Sequence, residues 1–302
     1  MMRRAAVVLV AILGSGCSSG GDELSDADTS TAPRIEGMAT DGPRARHVVL
    51  FGLDGLLTTS LQLPQADLLA QLGEPGTTGP AVPDAAGSCA PEWAKLLRAG
   101  GAADGEHGFD EVAKALPALE LGAFIAEPTL EAVIKPTNPA TVSKSAAVDV
   151  PGLQPWPRTL LGVEQIRDAA VTEVYEATEP SLTVVQANLM ASAAADPSLQ
   201  GLAADGADDL IDFVYQAFDG RRDRAQEDWL VVVVGLCAPS GDPVVLVEGD
   251  GLQGSVDLGT VEPAAVMSMV AKYLGVDLGG AWPEPPEGVL ADANVKNGKV
   301  TS

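Results

Sequence analysis

Histidine is nearly absent from this chain of 302 residues, which holds only His47 and His107 beside three cysteines. A structural zinc site needs four Cys or His ligands, and no C-x-x-C or H-E-x-x-H spacing occurs, so such a site is excluded. Bases are scarce as well: 18 Lys and Arg stand against 42 Asp and Glu, a net charge of −24. A polyphosphate backbone would be repelled by that surface, so no nucleic-acid partner is expected. G-x-x-x-x-G-K-[ST] is absent, which removes the commonest phosphate-cradling loop. Aromatic residues are only 4%, so a core must be built from Val, Leu, Ile and Ala. Hydrophobic residues at 46% and charged residues at 20% are nevertheless those of a globular chain with room for one large α/β domain.

The first residues, MMRRAAVVLVAILGSGC, read as an address. Arg3 and Arg4 precede a nine-residue apolar run, Ala5 to Leu13, far short of the roughly 20 residues that span a bilayer. Small residues then lead into Cys17, as in a bacterial lipoprotein cleavage box, although Gly14 stands where Leu is usual. Residues 1–16 are expected to be a signal peptide and Cys17 the lipidated anchor, placing the chain at the bacterial cell envelope. The alternative is an ordinary secretory signal with an incidental cysteine. Ser18 to Arg46, rich in Ser, Gly, Asp, Thr and Pro, has no apolar periodicity and reads as a disordered tether over residues 17–46. A coil of that length reaches roughly 30 Å.

From residue 47 strand and helix patterns alternate. Continuous apolar runs at 46–53, 182–187, 229–236 and 243–247 suit strands buried on both faces. Amphipathic patterns at 65–72, 91–99, 164–178, 205–218 and 261–274 suit helices covering them. The expected architecture is a three-layer αβα sandwich with a mostly parallel sheet over residues 47–290, followed by a tail at 291–302. In such sheets ligands bind beyond the carboxyl ends of the strands, which directs attention to Asp54-Gly55.

Several stretches occur in a telling order: Leu50-Phe51-Gly52-Leu53-Asp54-Gly55, then Ser88-Cys89-Ala90-Pro91-Glu92-Trp93, then His107-Gly108, and later Trp229 to Val234. Together they resemble the alkaline phosphatase superfamily, in its type I phosphodiesterase or nucleotide-pyrophosphatase branch. The resemblance implies in-line displacement at phosphorus or sulfur across two metal ions held by about half a dozen Asp and His side chains. It also implies that most of that equipment is missing. Asp54 matches the first ligand. Cys89 falls at the nucleophile position, or Ser88 if the register slips by one. Asn188 to Ala195 offers no ligand at the expected places, the Asp-His pair becomes Leu236-Cys237, and no histidine remains for the last ligand. A rival, the haloacid-dehalogenase fold, needs an acid where Gly52 and Gly254 stand.

The resulting expectation is a degenerate member of this superfamily acting in binding or scaffolding, with no cofactor. Asp54 is then a vestigial ligand, and a residual single metal ion there is not expected. The alternative is a hydrolase of phosphate or sulfate esters using Cys89 or Ser88, helped by Asp54 and by Asp84 or Glu92. The resemblance further implies that Cys89 and Cys237 converge on one site, as a disulfide or as two separate buried thiols. His47 is expected at the surface or a strand edge, His107 as a loop anchor, and Arg221 to Arg224 as a solvated loop. No protein or small-molecule partner is named by the sequence beyond the membrane reached through Cys17.

Overall fold

The computed structural model describes residues 44–290, apart from 74–76, 81–88, 102–104, 149–151, 222–225, 239–241, 251, 253–257, 259 and 287–288. Cys17, the signal and nearly all of the tether, Asp84, Ser88, Arg222 to Arg224, Gly254 and the tail lie outside the described residues. The tether expected to end at residue 46 gives way earlier, because the first strand, β1 (Ala45–Asp54), already includes Ala45 and Arg46.

Seven strands form one sheet. They are β1, β2 (Thr77–Pro80), β3 (Glu120–Ile125), β4 (Val142–Ser145), β5 (Ser181–Ala187), β6 (Glu227–Leu236) and β7 (Val244–Gly249), in the spatial order β2-β7-β6-β1-β5-β3-β4. The five from β6 to β4 run parallel, while β7 is antiparallel to both β6 and β2. The central position of β1 follows from its composition. Eight consecutive buried residues, His47 to Asp54, need neighbours on both sides and layers above and below.

Alternation along the strands divides the core in two. Val48 and Leu50 of β1, with Leu230, Val232 and Val234 of β6, face one layer. That layer holds α2 (Cys89–Leu97), α3 (Gly108–Ala115), α4 (Glu131–Ile134) and α8 (Pro263–Tyr273). Val49, Phe51 and Leu53, with Trp229, Val231 and Val233, face the other, made of α1 (Asp67–Gly73), α5 (Pro155–Glu176), α6 (Leu189–Ala193) and α7 (Pro197–Asp219). Asp208 of α7 accepts the Leu68 and Leu69 amides, both at 2.8 Å, and so caps α1 from the neighbouring helix. The edge strand β4 is short and half polar, with Val142 and Lys144 exposed.

The amino-terminal end of the sheet holds a buried polar cluster that overturns two expectations. His47 is fully buried, not at the surface: its Nδ1 lies 2.9 Å from Ser181 Oγ and its ring stacks on Trp229 at 4.4 Å. The cause is its place in the middle of the sheet, where β1 is flanked by β5 and β6. Arg221 is not in a solvated loop either. Its guanidinium grips the Glu227 carboxylate through two hydrogen bonds of 2.8 and 2.6 Å. It also donates to the carbonyls of Val174 and Tyr175 at the end of α5, and to that of Ala177. Trp229 Nε1 adds a third hydrogen bond to Glu227 at 3.0 Å. Burial pushes the Glu227 carboxyl up, but these donors and the nearby charges of His47 and Arg221 outweigh it and hold it below the usual range.

Candidate functional site at the carboxyl ends of the strands

β1 ends in Asp54, whose side chain is buried under the first turn of the following loop. The turn is possible because Gly55 takes φ +84° and passes so close to α6 that a Cβ would lie 2.4 Å from the Ala191 amide nitrogen. Two residues earlier, the space a side chain would take at Gly52 is filled by the Trp93 indole, with a Cβ falling 2.0 Å from Cη2. Gly52 thus admits Trp93 to the strand end, where Nε1 donates to Asp54 Oδ1 at 3.0 Å. An acid at this position, as the haloacid-dehalogenase reading would need, has no room. Gln186 of β5, paired in register with Gly52, donates to Asp54 Oδ2 at 2.6 Å.

Burial raises the Asp54 carboxyl to about 7 despite these two donors, and the negative charges of Glu92 and Glu127 push the same way. None of the groups acting on it is a cation. Cys89 opens α2, and Cys237 follows β6 in a left-handed conformation with φ 57°. The Cys237 amide donates to the Glu92 carboxylate. The two cysteines face each other with Cα atoms 4.9 Å apart and their sulfurs bridged. That separation lies inside the span a disulfide requires. Cys237 Sγ is also 3.2 Å from Asp54 Oδ1. Asp54, Cys89 and Cys237 therefore converge on one point, with one ligand-type atom of each within 4.8 Å of the others.

Beside them lies a cavity of about 590 Å³, to which Asp54, Cys89, Glu127, Thr129, Asn188 and Ser192 contribute. Asn188 precedes α6 without capping it, because its amide donates to Glu127 Oε2 at 3.2 Å instead. Glu127 in turn donates its backbone N–H to Gln186 Oε1 at 2.8 Å, which orients the glutamine that holds Asp54. The sequence reading left out Gln186 and Glu127. Gln186 was detectable as the single amide in the run Leu182–Ala187, but Glu127 follows β3, whose Glu120 and Gly122 break its apolar pattern.

A two-metal centre does not fit this donor set. Both Asp54 oxygens accept N–H groups, Glu92 is committed to a backbone amide, and the neighbouring Asn188, Ser192 and Leu236 offer neither an acid nor an imidazole. His107 is not among the described residues that line this cavity. It caps α3 by accepting the Phe109 amide at Nδ1, 3.2 Å, while Nε2 bonds the Ile134 carbonyl at 3.0 Å. Burial lowers it to about 4, so it is a neutral anchor near neutral pH, as its sequence context suggested.

No family model and no curated protein matches the sequence. Solved structures do match its shape. A 2-O GAG sulfatase superposes with a TM-score of 0.57 at 9% identity, over 84% of this chain and 74% of its own. A protein of the alkaline phosphatase superfamily from Vibrio parahaemolyticus gives 0.51 at 9%, over 80% and 68%. The lipoteichoic acid synthase LtaP from Listeria monocytogenes gives 0.51 at 11%, over 78% and 73%. At such identities the likeness is one of architecture, and the mostly parallel sheet with its two helical layers gives this chain an alkaline-phosphatase-like fold.

Proposed function

We propose that this domain has lost metal-dependent ester hydrolysis and serves as a binding or scaffolding module, tethered to the bacterial envelope through a lipidated Cys17. The observation that carries the reading is the state of the strand ends. The one carboxylate in a ligand position is held by Trp93 and Gln186, and the residue in the nucleophile position is tied to Cys237. Charge developing on a transferred phosphoryl or sulfuryl group would meet carboxyl groups there, and stabilisation of such charge is the largest part of this catalysis. The apolar run Ala5 to Leu13 and the small residues leading into Cys17 support attachment through a lipid.

Metal analysis of the purified chain, run beside a chromogenic phosphate- and sulfate-ester screen with Zn²⁺, Mn²⁺ or Mg²⁺, tests this reading. Substoichiometric metal and no turnover are expected. Robust turnover lost in Asp54→Ala would instead restore the hydrolase alternative. Globomycin sensitivity of processing and a fatty-acyl mass on Cys17 test the anchor.

A further inference from the structure

The strand-end cysteines carry more than a structural role. We infer that Cys89 and Cys237 form a reversible thiol–disulfide couple whose accessible sulfur is Cys89, and that the adjacent cavity admits neutral or cationic thiols in preference to anionic ones. This goes beyond the loss of hydrolysis and does not depend on it.

The asymmetry of the pair is the first support. Cys89 lines the cavity and Cys237 does not. Both are half-buried, and a sulfur entering through the cavity meets Cys89. Cys89 is also the opening residue of a nine-residue helix, where unpaired amides and the helix dipole favour a thiolate. On the far side, Cys237 Sγ has an acceptor already in place, Asp54 Oδ1 at 3.2 Å, to receive the S–H of the reduced form. Its backbone amide is fixed by Glu92, so this side of the pair stays put when the bridge opens. Trp93, Leu96 and Leu97 of α2 and Leu236 of β6 belong to the buried cluster against which both cysteines pack, and hold the two segments in register without the bridge.

The exchange balances without a cofactor. A thiolate RS⁻ attacks Cys89 Sγ, the bond to Cys237 breaks, and Cys237 leaves as a thiolate that takes a proton from water. A second RS⁻ attacks the external sulfur of the mixed disulfide, releasing RSSR and Cys89 thiolate. Two thiols are oxidised and the protein disulfide is reduced. The cavity sets the preference among thiols. Its carboxyl groups come from Asp54 and Glu127, none of its described lining residues is Lys or Arg, and the Asn188 Oδ1 acceptor has no hydrogen-bond partner. Such a lining repels a carboxylate-bearing thiol and suits an ammonium.

The test uses the purified full chain, oxidised, with cysteamine, 2-mercaptoethanol and 3-mercaptopropionate at equal thiolate concentration. Reactions are quenched with iodoacetamide and read by intact mass and peptide mapping, with circular dichroism to follow folding. Expected are mixed disulfide on Cys89 in the folded protein and its accumulation in Cys237→Ser. Cysteamine should react roughly tenfold faster than 3-mercaptopropionate, a gap that narrows at high salt and in Glu127→Gln. Three results would overturn the inference: cysteines that react only after denaturation, adducts on Cys237 of the wild type, or equal rates for the two charged thiols. A bridge that resists all three thiols leaves the loss of hydrolysis untouched, whereas ester turnover with free exchange at Cys89 removes that reading and keeps this one.

Discussion

Each end of the sheet buries a carboxylate, and the two are treated in opposite ways. At the amino-terminal end Glu227 meets a bidentate arginine and an indole N–H, and its carboxyl is held below the ordinary range. At the carboxyl end Asp54 meets two neutral donors and two further acids, and its carboxyl is raised to about 7. A buried acid with its counter-charge is architecture. A buried acid without one stores free energy, and such positions cluster where a fold does, or once did, its chemistry.

Removing the counter-charge is the hardest blow to this contrast. Arg221→Ala leaves Glu227 buried and unpaired and three carbonyls without their donor; a loss of roughly 3–5 kcal/mol is expected in urea unfolding. Opening the bridge at the other end comes next. Cys89→Ala with Cys237→Ala releases a link across 148 positions, and should cost roughly 2–4 kcal/mol in the same assay while circular dichroism stays native. Gly52→Ala forces a methyl into Trp93 and should cost roughly 1–3 kcal/mol, with a change in near-ultraviolet dichroism from the displaced indole.

The pH dependence sharpens the comparison further, because the two ends carry opposite signs. Asp54 moves from 3.8 in the unfolded chain to about 7, so the native state retains a proton the unfolded state has lost. Its contribution to stability therefore falls as pH rises from about 4 to about 7, and this slope should flatten in Asp54→Asn. Glu227 contributes stability that is present above its unfolded value of 4.5 and lost as pH falls through the lower native one. The smallest effect is expected at His107. Replacing this helix cap by Ala should cost roughly 1 kcal/mol near neutral pH, read by thermal unfolding.

Composition and periodicity made the centre of the fold legible. β1, β5, β6 and β7 announce themselves as apolar runs because their residues are buried on both faces, and Asp54, Cys89 and Cys237 lie where the chain leaves that centre. The periphery was not legible. β4 alternates exposed and half-buried residues over only four positions, and β3 opens with Glu120 and is interrupted by Gly122, so neither reads as a continuous apolar run. The helices α5 and α7 extend well ahead of the expected starts at 164 and 205, to Pro155 and Pro197, because proline suits a first turn. His47 and Arg221 were misplaced because each is polar in sequence and meets its partners only in the fold, Ser181 and Glu227 for the first, Glu227 and the end of α5 for the second.

The modest edge strand β4 bears on how such a protein behaves among its own copies. An open sheet ends in unpaired amides and carbonyls that invite a strand from another molecule. Here that edge is four residues long and presents the ammonium group of Lys144 to solvent. A foreign strand docking there would gain few hydrogen bonds and would have to desolvate a charge. Where identical chains are crowded together, that edge favours neighbours that remain separate over neighbours that join into a continuous sheet.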